Sequence, residues 1–227
     1  PEPERYFDAA FMVPLLNFKE FQMDLKNYGQ NIFFEGEIMA SLFSQSGKLI
    51  ENLTINQSTK ASWSSWSSVN LSRLFSKSVQ TESEIHSIRF GFKSLTNTFP
   101  NRFKLSLNIQ KRRSKFLGSN ICFGAHVNAL SFKKPHSRTW FPLGGKKNIV
   151  ATIHNTSLLM SGHDTRAETV LNFYSATGQF YQKKIKMAAN ETIFIDVCND
   201  RYLFNFLEDQ LGWCMVQCSS SCVDAYF

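Results

Sequence analysis

Apolar and polar residues alternate with period two along most of this chain, the pattern of strands that turn one face to a core and the other to water. Phe21, Met23 and Leu25 alternate with Gln22, Asp24 and Lys26, and Ile149, Ala151 and Ile153 alternate with Thr152 and His154. Ile38, Ala40 and Leu42 behave alike, as do Val170, Asn172 and Tyr174 against Leu171 and Phe173. Each of these runs ends in a polar segment closing on Gly47 or Gly178, residues suited to the positive φ of a hairpin turn. Further strands are predicted at 49–55, 60–66, 88–92 and 103–109, and again at 180–187, 192–197, 213–218 and 223–227. Strands recurring about every 10 residues between Ser, Asn and Gly predict sandwiches. Helix is expected only at 69–76, capped by Asn70, and at 201–210, where Leu203, Phe206 and Leu207 share a face.

The strand pattern is itself repeated. Phe11-Met-Val-Pro-Leu followed by Phe21-Gln-Met-Asp-Leu-Lys-Asn27 answers Trp140-Phe-Pro-Leu followed by Ile149-Val-Ala-Thr-Ile-His-Asn155, with Pro142 and Asn155 each 128 residues after Pro14 and Asn27. Gly178 follows Gly47 by 131 residues, and Ser58-Thr-Lys-Ala-Ser-Trp63 answers Asn190-Glu-Thr-Ile-Phe-Ile195. The chain is therefore expected to be all-β: two tandem antiparallel β-sandwich domains related by internal duplication, with little helix. The first spans 7–133 and includes an extra hairpin in the segment 111–130 with a basic turn; the second spans 138–227. Lys133-Lys-Pro-His-Ser137 is the natural junction, since proline donates no ladder hydrogen bond.

The second copy also carries a family likeness. Thr139-Trp140, the strand ending in His154-Asn155, the Phe173-Tyr174 strand, Asn190-Glu-Thr-Ile-Phe-Ile-Asp196 and Gly212-Trp-Cys-Met-Val-Gln-Cys218 resemble the small bacterial β-sandwich of the sensory rhodopsin transducer type. Ser219-Ser-Ser-Cys-Val223 lacks that family's proline, and Met187-Ala-Ala-Asn-Glu-Thr192 keeps its turn only loosely. The resemblance implies a sandwich fold and, by analogy, partner-protein or small-ligand binding by an oligomer; it assigns no functional residue.

Composition narrows the class. The chain has 227 residues, 43% of them hydrophobic, with 22 Phe and 4 Trp, enough to bury a core without metals or disulfides and too apolar for disorder. No run approaches the roughly 18 to 20 uninterrupted apolar residues of a membrane-spanning helix. Lys and Arg number 25 against 18 acidic residues, a formal charge of +7, which favours polyanions as partners. The densest cluster is Lys111, Arg112, Arg113 and Lys115. Lys146 and Lys147 follow Gly144-Gly145, whose backbone amides could help hold an anion. Lysines at strand edges and loop tips equally serve to block edge-to-edge aggregation.

Five cysteines, Cys122, Cys198, Cys214, Cys218 and Cys222, make an odd set that argues for reduced thiols and a cytoplasmic setting. Residues four apart on a strand lie some 13 Å from each other, too far for Cys214 and Cys218 to share one metal. Free thiols and a Cys218 to Cys222 disulfide both remain open. Five N-x-Ser/Thr sequons begin at Asn52, Asn56, Asn70, Asn155 and Asn190, a number close to what such a composition yields by chance. Pro1 is not a translation start, so the chain reads as a processed or trimmed piece and its compartment stays open.

Candidate chemistry is sparse. Ser161-Gly-His163-Asp164 has triad residue types, but neighbours in sequence cannot form the converging relay. Trp63 and Trp66 lie among serines; by the repeat alignment Trp63 points inward and Trp66 is left as a sugar-stacking platform or a packing residue. Arg89-Phe-Gly-Phe-Lys93 combines aromatic and basic residues as single-strand binders do, although alternation alone accounts for it. The expectation is a non-catalytic structural or binding module, without cofactor or metal, that assembles with itself or with a partner protein. The alternatives are a polyanion binder for nucleic acid, anionic glycan or a lipid surface using the basic hairpin, a carbohydrate-binding module, and an enzyme with His126, His136, His154 or His163 as base.

Overall fold

The computed structural model describes residues 9–14, 21–27, 36–56, 68–71, 85–94, 104–113, 119–124, 126–127, 137–144, 150–155, 166–218 and 223–226. The chain is all-β: these residues form antiparallel strands with little helix, a short one at Arg201–Leu207 and the helical Leu71. It divides into two compact units, 1–45 with 49–128, and 46–48 with 129–227. The expected junction at 133–137 lies outside the described residues except for Ser137.

The first unit holds β1 (Ala9–Pro14), β2 (Phe21–Asn27), β3 (Gly36–Ser44), β4 (Leu49–Asn56), β5 (Ser68–Asn70), β6 (Ile85–Ser94), β7 (Lys104–Lys111), β8 (Ser119–Gly124) and β9 (His126–Val127). One sheet runs β4-β3-β6-β1-β9 and the other β5-β2-β7-β8. The second unit holds β10 (Ser137–Gly144), β11 (Val150–Asn155), β12 (Ala167–Tyr174), β13 (Phe180–Met187), β14 (Thr192–Asp196), α1 (Arg201–Leu207), β15 (Leu211–Cys218) and β16 (Val223–Tyr226). Its sheets run β10-β15-β12-β13 and β14-β11-β16. If β1 to β7 are matched in order with β10 to β16, the neighbours β4-β3-β6-β1 become β13-β12-β15-β10, and β5-β2-β7 becomes β14-β11-β16.

Two expectations change. The segment 111–130 is not a self-contained hairpin: β8 pairs with β7 in one sheet, whereas β9 pairs with β1 in the other. The helix expected at 69–76 starts later: Ser68–Asn70 are strand, with Asn70 Nδ2 donating to Asp24 Oδ1 on the neighbouring strand at 3.0 Å, and helix begins at Leu71, while 72–76 lie outside the described residues. Residues 57–67, and with them most of the strand expected at 60–66, lie outside the description.

Alternation sets the core of the second unit. On β12, Ala167, Thr169, Leu171 and Phe173 are buried, and on β15 Gly212, Cys214, Val216 and Cys218 are buried. Of these, Ala167, Leu171, Phe173, Cys214, Val216 and Cys218 join Phe141 and Leu143 of β10, Ala151 and Ile153 of β11, Ile195 of β14, and Leu203 and Leu207 of α1 in one cluster. Both sheets thus feed a shared apolar layer, as in a sandwich. Gly178, at φ +83°, closes the β12–β13 turn, where Ser175 Oγ accepts from the Gln179 amide. Among the described residues no helix is long and apolar enough to cross a membrane.

Candidate functional site

In an antiparallel ladder, directly paired residues point to the same side. Tracing pairs across the β10-β15-β12-β13 sheet away from its core places Pro142, Trp213, Tyr174 and Phe180 in one row over all four strands. The next row is Trp140, Met215, Asn172 and Gln182, and the third is Arg138, Gln217, Val170 and Lys184. Glu168 and Lys186 follow on β12 and β13, with Lys186 Nζ 3.6 Å from Glu168 Oε1 in an exposed ion pair.

This outer face is unusually apolar for one that meets water. Trp140 is 71% exposed, Phe180 55% and Trp213 46%, and Leu211, at the end of β15, is 59% exposed. The rings of Tyr174 and Trp213 stack with centroids 5.7 Å apart, and Phe180 leans on Tyr174 at 5.3 Å. Below them runs a relay of amides: Gln182 Nε2 donates to Asn172 Oδ1 at 2.9 Å, and Asn172 Nδ2 donates to Gln217 Oε1 at 3.2 Å. The face is therefore graded along the strands: aromatics follow Pro142 in the first row and, with Trp140, take one end of the second, Met215 and the amides Asn172 and Gln182 complete the second, and cations stand at both edges of the third.

The residues singled out from sequence fall elsewhere. Lys111, the last residue of β7, and Arg112 and Arg113 on the turn after it are exposed, with Arg113 at φ +64°. Lys115, Lys146, Lys147, Trp63 and Trp66 lie outside the described residues, as do His136, Ser161, His163 and Asp164. His126 is on β9 and its side chain is not described. His154 is fully buried, with Nδ1 2.9 Å from Thr192 Oγ1. Phe90 is buried as alternation expects, but Arg89 is half-buried and lies over the buried Phe43 ring at 5.1 Å rather than standing outside; the side chains of Phe92 and Lys93 lie outside the described residues.

Cys198 is exposed, and Cys214 and Cys218 are buried, with Thr169 Oγ1 donating to Cys218 Sγ at 3.4 Å. Burial pushes the Cys214 thiol up to about 12, countered in part by a hydrogen bond with the Asn172 backbone, so it is a poor nucleophile or metal ligand at neutral pH. Among the described residues no three His, Cys, Asp or Glu side chains group to hold a metal.

The signal for the outer face was present in the sequence. Leu211, Trp213 and Met215 alternate with Cys214 and Val216, making a strand apolar on both faces in a sheet whose core covers only one. Comparison with protein-family models, curated proteins and solved structures finds no match.

Proposed function

We propose that the chain is a non-catalytic binding module and that its binding surface is the outer face of the β10-β15-β12-β13 sheet. The observation that carries this is the group of exposed aromatics Trp140, Trp213 and Phe180 with half-buried Tyr174 among them, one from each of four strands, apolar surface that the fold leaves in water. Descent from a duplicated sandwich is part of the same proposal. Its support is the matching strand order of the two units, with Pro14 and Pro142 in corresponding strands and Asn27 and Asn155 each ending one. In that view only the second copy presents Trp140 and Trp213: with Pro142 set against Pro14, their counterparts in the first unit are Met12 and Ser87.

The proposal makes Trp140 dispensable for folding. Trp140→Ser is expected to change stability by no more than about 0.5 kcal/mol in urea denaturation, as befits an exposed side chain outside the core. A loss above about 2 kcal/mol would mean that the ring serves the fold and would remove the main support for a binding face.

A further inference from the structure

We infer that the occupant of this face is single-stranded nucleic acid, its bases on Trp140 and the Trp213–Tyr174–Phe180 row and its phosphates at Arg138 and Lys184. The inference rests on the binding-module proposal above and adds the chemical class of the ligand.

Three features of the same face support it. The exposed rings offer unpaired bases a sequence-tolerant stacking surface, and the Tyr174–Trp213 stack can be continued by a further planar ring. Cations lie on the same edge strands as the rings: Arg138 is two residues from Trp140, about 7 Å along β10, and Lys184 is four from Phe180, about 13 Å along β13. The amide relay uses Gln182 Nε2 and Gln217 Oε1, leaving Gln182 Oε1 to accept and Gln217 Nε2 to donate at its ends, chemistry that matches base edges.

Other occupants use fewer of these groups. A second copy brings three more cations, Arg138, Lys184 and Lys186, against a single carboxylate, Glu168, and so lacks the complementary charge that fixes a protein contact. An anionic lipid surface would engage the rings and cations but give the amide relay no partner. A duplex keeps its base faces stacked and out of reach.

The test is fluorescence anisotropy of a labelled oligothymidylate with the full chain, set against the same strand in a duplex, heparin, and phosphatidylcholine vesicles containing phosphatidylserine. The inference predicts that the single strand binds more tightly than duplex or heparin. It predicts that Trp140→Ala, with its melting temperature retained, weakens binding about tenfold. Arg138→Ala and Lys184→Ala should each make the negative slope of log affinity on log salt shallower by about 0.7, while Arg112→Ala leaves affinity unchanged. Equal binding of heparin and duplex that ignores Trp140→Ala, or binding of vesicles without the oligomer, would overturn it. If the oligomer does not bind but Trp140→Ala lowers the native mass, the nucleic-acid inference fails and the binding face stands, occupied by a second copy. If neither binding nor mass responds, both fail.

Discussion

Cys214 faces inward from β15 between Phe141 and Phe173, and that position decides its chemistry. Its thiol is raised from an ordinary 9.0 to about 12 by burial. Above pH 9 the unfolded thiol loses its proton while the folded one keeps it, so this group's contribution makes stability fall as pH rises, by up to about 1.4 kcal/mol per unit until pH 12. Urea denaturation of wild type and Cys214→Ala at pH 8 and pH 10 checks this: the wild type should lose more stability than the variant, and equal losses would contradict it. Asn155 shows a different residue-scale constraint. It is buried at the end of β11, where Nδ2 donates to the carbonyls of Met187 and Ala188, and its backbone carbonyl accepts from Asn190. Asn155→Ala is expected to cost about 1–3 kcal/mol in urea denaturation, and Asn155→Asp more, because a carboxylate would face two carbonyls; no loss in either would refute the clamp. The recurrence of Asn at 27 and 155 was legible in the sequence, but its role at 155 was not, since the partners lie 32 and 33 residues further along the chain.

At the scale of elements, helix α1 tests how local chemistry sets boundaries. Asp200 caps its start, Oδ1 accepting from the amides of Tyr202 and Leu203 at 3.0 and 3.1 Å. The apolar spacing of Leu203, Phe206 and Leu207 is readable in advance, but the helix stops at Leu207 rather than running to 210. Glu208 and Asp209 adopt left-handed φ values of +49° and +62°, a termination usually signalled by glycine and therefore hidden in a Glu-Asp pair. Asp200→Ala is expected to cost about 1 kcal/mol, and Glu208→Gly to be neutral or stabilising by up to about 1 kcal/mol. Thermal melts that reverse this order would contradict the assigned caps. Strands were legible for a related reason: alternation identifies inward residues directly. It does not say which strand lies beside which, and so β8 and β9 could not be assigned to different sheets from sequence.

For the whole molecule, the two units share a strand order that the repeated sequence anticipates, while the binding surface proposed for the second unit depends on a register no single strand reveals. Trp140, Tyr174, Phe180 and Trp213 are scattered over 74 residues of sequence and become neighbours only when four strands are aligned. The basic residues Lys111, Arg112 and Arg113 are contiguous and so plain in the sequence, whereas Arg138 and Lys184 are 46 residues apart and share one row only across the sheet. A ligand would cover one of these two surfaces and leave the other in water. Hydroxyl-radical footprinting of the full chain with and without oligothymidylate decides it most directly: protection is predicted at Trp140, Phe180 and Trp213, with Tyr202 and Phe204 on α1 unchanged. Protection confined to the turn after β7, or no protection at the three aromatics, would contradict the central claim.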